Sequence, residues 1–149
     1  MKLIPLTQGL MTAVDDSDFE ELIQYKWCAH RKGKKVYAVR ANGLSSMHAH
    51  LMGPRRAARI DHIDGDGLNN QRNNLRWATV AQNSMNRTCN RNSRTGYKGV
   101  VWCASKRRFR VVLKTAGKQI SGGYYSQVEQ AVEAHVALAR LHHGEFAKT

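Results

Sequence analysis

From Gly67 to Val128 the chain contains no aspartate and no glutamate. Nine Lys and Arg lie between Arg91 and Lys118 with no acid among them. That excludes a self-neutralising surface and points to an anionic partner. Cysteine is also scarce. Cys28, Cys89 and Cys103 are odd in number and far apart, with no C-x-x-C pair. A disulfide framework and zinc-knuckle spacing are therefore not expected, and a reduced protein is. No apolar run approaches a membrane span. Met1-Lys2-Leu3-Ile4-Pro5 lacks the apolar core of a signal peptide. No long basic amphipathic helix is visible, so no membrane partner is expected.

What is present is positive charge, unevenly spread. The 149 residues carry a formal net charge of +13. Residues 1–90 hold 13 Lys and Arg against 8 acids, and residues 91–149 hold 11 against 3. This length gives one domain or two small ones. The expected fold class is α+β.

Taken in order, residues 1–14 suggest a hairpin, and Asp15 or Asp16 can cap a helix carrying Phe19, Leu22 and Ile23 on one face. Strands at Trp27–His30 and Val36–Val39 flank a basic glycine turn. A third strand is expected over Ser46–Met52, with His48 and His50 on one side. Ile60–Ile63 and Leu75–Ala78 read as strands around a polar loop. Thr79 can cap a helix in which Asn83, Asn86 and Arg87 share a face. Cys89–Thr95 reads as a linker. Tyr97–Trp102, Arg108–Lys114 and Lys118–Tyr125 read as three strands. In the middle one Phe109, Val111 and Leu113 oppose Arg108, Arg110, Val112 and Lys114. Ser126–Glu129 has the form of a capping box before a helix with an apolar stripe.

The acids that do occur in the middle of the chain are concentrated. Asp61-His62-Ile63-Asp64-Gly65-Asp66-Gly67-Leu68-Asn69-Asn70 leads to Asn74-Leu75-Arg76-Trp77 and, 22 residues after Asp61, to Asn83. Carboxylate and carboxamide oxygens suit a hard cation such as Mg²⁺ or Mn²⁺, and a neutral histidine beside it can take a proton from water. Asp64 and Asp66 are turn formers or extra ligands, and turn formers is the preferred reading, because the later acid of a calcium loop is missing. His48 and His50 are either a second ligand pair or residues that pack and hydrogen-bond beneath the site; His48 is also counted as a phosphate contact. Arg76 is either a phosphate contact or a solvated strand charge.

Type, order and spacing over residues 47–90 resemble the HNH endonuclease motif of phage and intron-associated homing endonucleases. The resemblance implies a ββα-metal unit holding one divalent ion per chain, Mg or Mn. Asp61 and Asn83 would be the metal ligands, His62 the general base, and Asn74 the brace of the loop. It implies phosphodiester hydrolysis of double-stranded DNA, leaving 5′-phosphate and 3′-hydroxyl ends, by a monomer or weak dimer in the cytoplasm of a phage or bacterial host. Tyr97-Lys98-Gly99-Val100, Phe109-Arg110-Val111, Gly122-Gly123-Tyr124-Tyr125 and His143-Gly144-Glu145-Phe146 resemble an AP2 DNA-binding domain. That implies a three-stranded antiparallel sheet with one helix behind it. Lys98, Arg108, Arg110, Lys114, Gln119 and Ser121 would face DNA, with Arg76 and Arg87 added from the nuclease unit. The expected organisation is a β-rich segment at 1–46, the HNH unit at 47–90, a linker at 91–95 and the AP2-like domain at 96–149. The alternative is a non-catalytic, sequence-specific DNA-binding protein.

Overall fold

The computed structural model describes residues 1–149 apart from Asn42, Leu44, Ala57, Arg87, Thr88, Asn90, Arg91, Asn92, Ala116, Lys148 and Thr149. The chain forms two compact units, Met1–Val80 and Ala81–Thr149. It is α+β, with small antiparallel sheets and short helices. Among the described residues no helix is long and apolar enough to cross a membrane.

The first unit begins with an antiparallel pair, β1 (Lys2–Pro5) and β2 (Met11–Val14). Helix α1 (Asp16–Leu22) follows, with Asp16 and Asp18 in its first turn, where acids complement the helix dipole. Next come the hairpin β3 (Trp27–Lys32) and β4 (Lys35–Arg40), helix α2 (Met47–Met52), and the pair β5 (Arg59–His62) and β6 (Leu75–Ala78). Alternate residues of the strands supply the core. Ile4, Val14, Leu22, Trp27, Ala38 and Met47 are buried together, with Phe19, Leu51 and Leu68 packed against them.

Two expectations change here. Asp15 occupies the N-cap position of α1 but caps nothing with its side chain. Its carboxylate instead accepts from the Arg72 backbone N–H at 2.8 Å and from Gln71 Nε2 at 3.3 Å. Met47–Met52 is a helix, not a strand. A short apolar run is compatible with either, and here the i, i+4 pair Met47 and Leu51 faces the core. Gly53, at φ +72°, ends the helix. Its consequence is functional: His48 and His50 point to different neighbours, so they are not a ligand pair on one strand face.

In the second unit β7 (Val100–Cys103), β8 (Arg108–Thr115) and β9 (Lys118–Tyr125) form one antiparallel sheet in that order. Helix α4 (Val128–His143) packs on it through Ala131, Val132 and Leu138, against Val100, Phe109 and Val111. Helix α3 (Val80–Met85) spans the point of division. β7 starts three residues later than expected, because Tyr97–Gly99 is a turn with Gly99 at φ +70°. A Cβ on Gly99 would lie 2.2 Å from the His135 ring, so that turn admits only glycine. The capping box does not form: Gln127 is the N-cap of α4, without a side-chain bond. The turn at Ala116 and part of the 91–95 linker fall outside the described residues.

Register places Arg110 between Val101 and Tyr124, Val112 opposite Ser121 and Lys114 opposite Gln119. These side chains share the face away from Val111 and Leu113, which are buried. Gly122 is the extra residue of a bulge, and a Cβ there would strike Val111 at 2.5 Å.

Candidate active site

β5 and β6 pair with Asp61 opposite Arg76 and His62 opposite Leu75. Neighbouring strand residues face opposite ways, and the contacts of Asp61 and His62 differ accordingly. The Asp61 carboxylate is 4% exposed. Its Oδ2 accepts from Arg76 Nε at 3.1 Å and Nη2 at 2.9 Å. The Arg76 side chain is itself only 11% exposed. Arg76 is therefore not a solvated strand charge. It neutralises a buried carboxylate.

His62 is equally buried and sits in a ring cluster. Its ring is 5.1 Å from that of His48 and 6.0 Å from that of Tyr37, centre to centre. Burial pulls its pKa below the ordinary imidazole value, helped by Lys35 and opposed by the Asn70 hydrogen bond, Asp64 and Asp61. His62 is thus neutral near pH 7, the form in which a histidine accepts a proton. His48 is drawn down to about 4, by burial first and then by His62. Its Nε2 bonds Ser46 Oγ at 2.9 Å, and its Nδ1 is buried without a partner among the described residues. His50 lies elsewhere, 2.7 Å from Glu21 Oε1 and against Tyr25 and Trp27.

The His62 tautomer follows from a chain of hydrogen bonds. Thr12 Oγ1 donates its single proton to Leu68 O at 2.7 Å. It therefore accepts from Asn70 Nδ2, 2.8 Å away. That fixes the Asn70 amide, so that Oδ1 is the atom 3.3 Å from His62 Nε2. Oδ1 can only accept. The proton of neutral His62 is then on Nε2, and Nδ1 is the basic nitrogen. Thr12 and Asn70 are both 0% exposed. Sequence reasoning gave neither residue a role, and no local signal links positions 58 residues apart. Asn70→Ala would leave a buried imidazole N–H unsatisfied. It is expected to cost the first unit roughly 1–3 kcal/mol. A denaturant midpoint equal to wild type would show that this chain does not hold His62.

The loop between the strands is held by its own polar groups. Asn74 Oδ1 accepts from the Asp64 backbone N–H at 3.0 Å, and its Nδ2 donates to Asp64 Oδ1 at 3.0 Å and Asn69 O at 2.8 Å. Asp64 Oδ1 also accepts from Asp66 N, and Asp66 Oδ1 from Leu68 N. Burial works to raise the Asp64 carboxyl, but bonds from Asp66, Asn69 and Asn74 outweigh it and lower its pKa. Both acids thus close turns. The N-terminal segment grips the same loop from outside. Arg72 donates to Asp18 from Nε and Nη2, both at 2.8 Å. Backbone bonds join Ala13 to Leu68 and Asn70.

Asn83 is on α3 in the second unit, and Asp61 is in the first. Among the described residues no three His, Cys, Asp or Glu side chains gather into a metal-binding group. Carboxylate and carboxamide oxygens are the donor types that suit Mg²⁺, which retains several waters. Of the residues considered for DNA, Arg87 lies outside the described residues. Lys98 donates to the carbonyl of Met85. Arg108, Lys114, Gln119 and Ser121 are exposed. Arg110 has its Nε buried with no hydrogen-bond partner among the described residues.

A family model described as HNH endonuclease matches residues 54–85, which hold Asp61, His62, Asn74 and Asn83. Protein 3.8 of Escherichia phage T7 is 34% identical over 89 residues, covering 60% of this chain and 73% of that protein. This chain belongs to the family of Protein 3.8. It carries an HNH-type nuclease domain, in which the His62 cluster and the Asn74-braced loop are the conspicuous built features. No solved structure matches the chain significantly.

Proposed function

We propose that this chain is a metal-dependent DNA endonuclease of the HNH type that hydrolyses phosphodiester bonds. The observation that carries this reading is the buried, neutral His62, held through Nε2 by Asn70 within the matched domain. His62 Nδ1 takes the proton of the attacking water. Asn70 keeps that nitrogen unprotonated, and Asn74 keeps the loop closed around it. Asp61 and Asn83 are each a candidate ligand for Mg²⁺ or Mn²⁺. Such an ion, when bound, stabilises charge developing at the scissile phosphate. The test is incubation of supercoiled plasmid with the full chain in Mg²⁺ or Mn²⁺ and in EDTA. Nicked circles only with metal are expected, and intact plasmid in every condition would overturn the reading.

The sheet of the second unit, read as AP2-type, would lie on duplex DNA through Arg108, Arg110 and Lys114, with Gln119 and Ser121 beside them. The support is that Arg108 and Lys114 are exposed and share with Arg110 the sheet face away from the buried Val111 and Leu113. Replacing Arg108, Arg110 and Lys114 by alanine in the full chain should reduce the salt slope of binding by about 2.7, at about 0.9 per phosphate contact. An unchanged slope would remove the sheet from the interface. One observation favours the second reading, a non-catalytic DNA-binding protein: Arg76 already holds Asp61. Binding to duplex DNA without cleavage in any divalent ion would establish that reading instead.

A further inference from the structure

The β3–β4 hairpin carries a charge arrangement that folding alone does not favour. Its last cross-strand pair is Lys32 opposite Lys35, with Gly33 and Lys34 as the turn between them and Arg31 just before. Like charges directly opposite in an antiparallel pair are destabilising. Nothing local offsets them. No Asp or Glu lies between Glu21 and Asp61, and nine Lys and Arg do. Among the described residues, the ion pairs involve none of Arg31, Lys32, Lys34 or Lys35.

The hairpin is also seated on the nuclease loop. Cross-strand partners share a face, so Lys32, Lys35, His30 and Tyr37 lie on one side and Ala29 and Ala38 on the other, in the core. On that same side Tyr37 contacts His48 and His62. Gly67 of the loop makes the approach possible. A Cβ there would lie 2.3 Å from Val36 O and 2.6 Å from the Tyr37 ring. From Tyr37 to Lys35 the strand advances two residues, about 7 Å. A continuous strip therefore runs from the candidate base to an unneutralised basic tip.

We propose that the β3–β4 hairpin is a phosphate-backbone clamp of the nuclease unit, in which Lys32 and Lys35 hold duplex DNA phosphates beside the one presented to His62. The proposal rests on the nuclease reading for the position of that phosphate. It is a second DNA contact, made by residues other than those of the β7–β9 sheet. Opposed lysines cease to repel when a polyanion lies across them.

The test compares the full chain with Lys32→Gln/Lys35→Gln and Lys32→Arg/Lys35→Arg. Binding to a 30-base-pair duplex, a probe length of about three helical turns, is measured in EDTA across a salt series. The glutamine variant is expected to lose about 1.8 from the slope of log affinity against log salt, two contacts at about 0.9 each. The arginine variant is expected to keep the wild-type slope. Lys26→Gln, in the same unit but off the hairpin, should leave it unchanged. An unaltered slope in the glutamine variant would overturn the clamp, as would an arginine variant as impaired as the glutamine one. Displacement of the DNA by an equal concentration of duplex RNA would overturn it in favour of an RNA-binding hairpin. Because binding is read in EDTA, a loss of slope with no plasmid cleavage in either Mg²⁺ or Mn²⁺ would sustain the clamp and sink the nuclease reading alone.

Discussion

His62→Ala is expected to slow strand cleavage by ~10²–10⁴-fold, the usual contribution of a positioned general base, while DNA affinity in EDTA stays at the wild-type level. Burial keeps the ring neutral, so at pH 7 its lone pair is available without prior loss of a proton. Asn70 Oδ1, an acceptor 3.3 Å from Nε2, favours the tautomer with its proton on Nε2 and Nδ1 as the basic atom. The residue contributes no positive charge at neutral pH, so phosphate binding does not depend on it. Single-turnover cleavage with enzyme in excess separates the chemical step from binding and release. A His62→Ala variant cutting at the wild-type rate would remove His62 from the mechanism. One with lost affinity would make it a binding residue instead.

Arg76→Met should destabilise the metal-free first unit by about 3–5 kcal/mol, the range for removing one partner of a buried ion pair. The size comes from what remains. Asp61 is 4% exposed, and losing the guanidinium removes both donors that Arg76 gives to its Oδ2. Two further measurements separate this from a simple packing loss. Asp61→Asn/Arg76→Met, which removes both charges, should recover most of the stability. Millimolar Mn²⁺ should restore part of it to Arg76→Met alone, because a bound cation replaces the missing charge and ligand binding stabilises the native state. Equal denaturant midpoints for wild type and Arg76→Met in EDTA would contradict the geometry. Recovery in the double variant without any Mn²⁺ effect would leave the ion pair in place and remove Asp61 as a metal ligand.

The parts of the fold that were legible in the sequence are those written in local pattern. The alternation of β8 and the apolar stripe of α4 gave a sheet with one apolar face, because period 2 and period 3.6 each name a buried side. The turn from Asp64 to Gly67 was legible for the same reason: Asp and Gly are favoured by turn backbone. Ser46–Met52 was not legible, since seven mixed residues satisfy either period and only core contacts of Met47 and Leu51 decide. The capping box matched the consensus, but the N-cap is Gln127, one residue on, and it makes no side-chain cap bond. In the candidate site, Asp61, His62 and Asn74 stood out by spacing. The Thr12–Asn70–His62 chain did not, because its members meet only after β2 pairs with the loop at Ala13 and Asn69. Arg76 was left between two surface roles. Its role depends on the β5–β6 register, which sets it opposite Asp61 and which a polar loop of uncertain closure does not reveal.

The most direct measurement joins cleavage to the chemistry of its ends. Supercoiled plasmid is incubated with the full chain in Mg²⁺ or Mn²⁺, the protein is removed, and the nicked circles are treated with DNA ligase. Metal-dependent hydrolysis started by water at His62 predicts 5′-phosphate and 3′-hydroxyl ends, so the nicks form only with metal and ligase closes them. Nicks that form equally in EDTA, nicks that ligase cannot close, or no nicks at all would contradict the account.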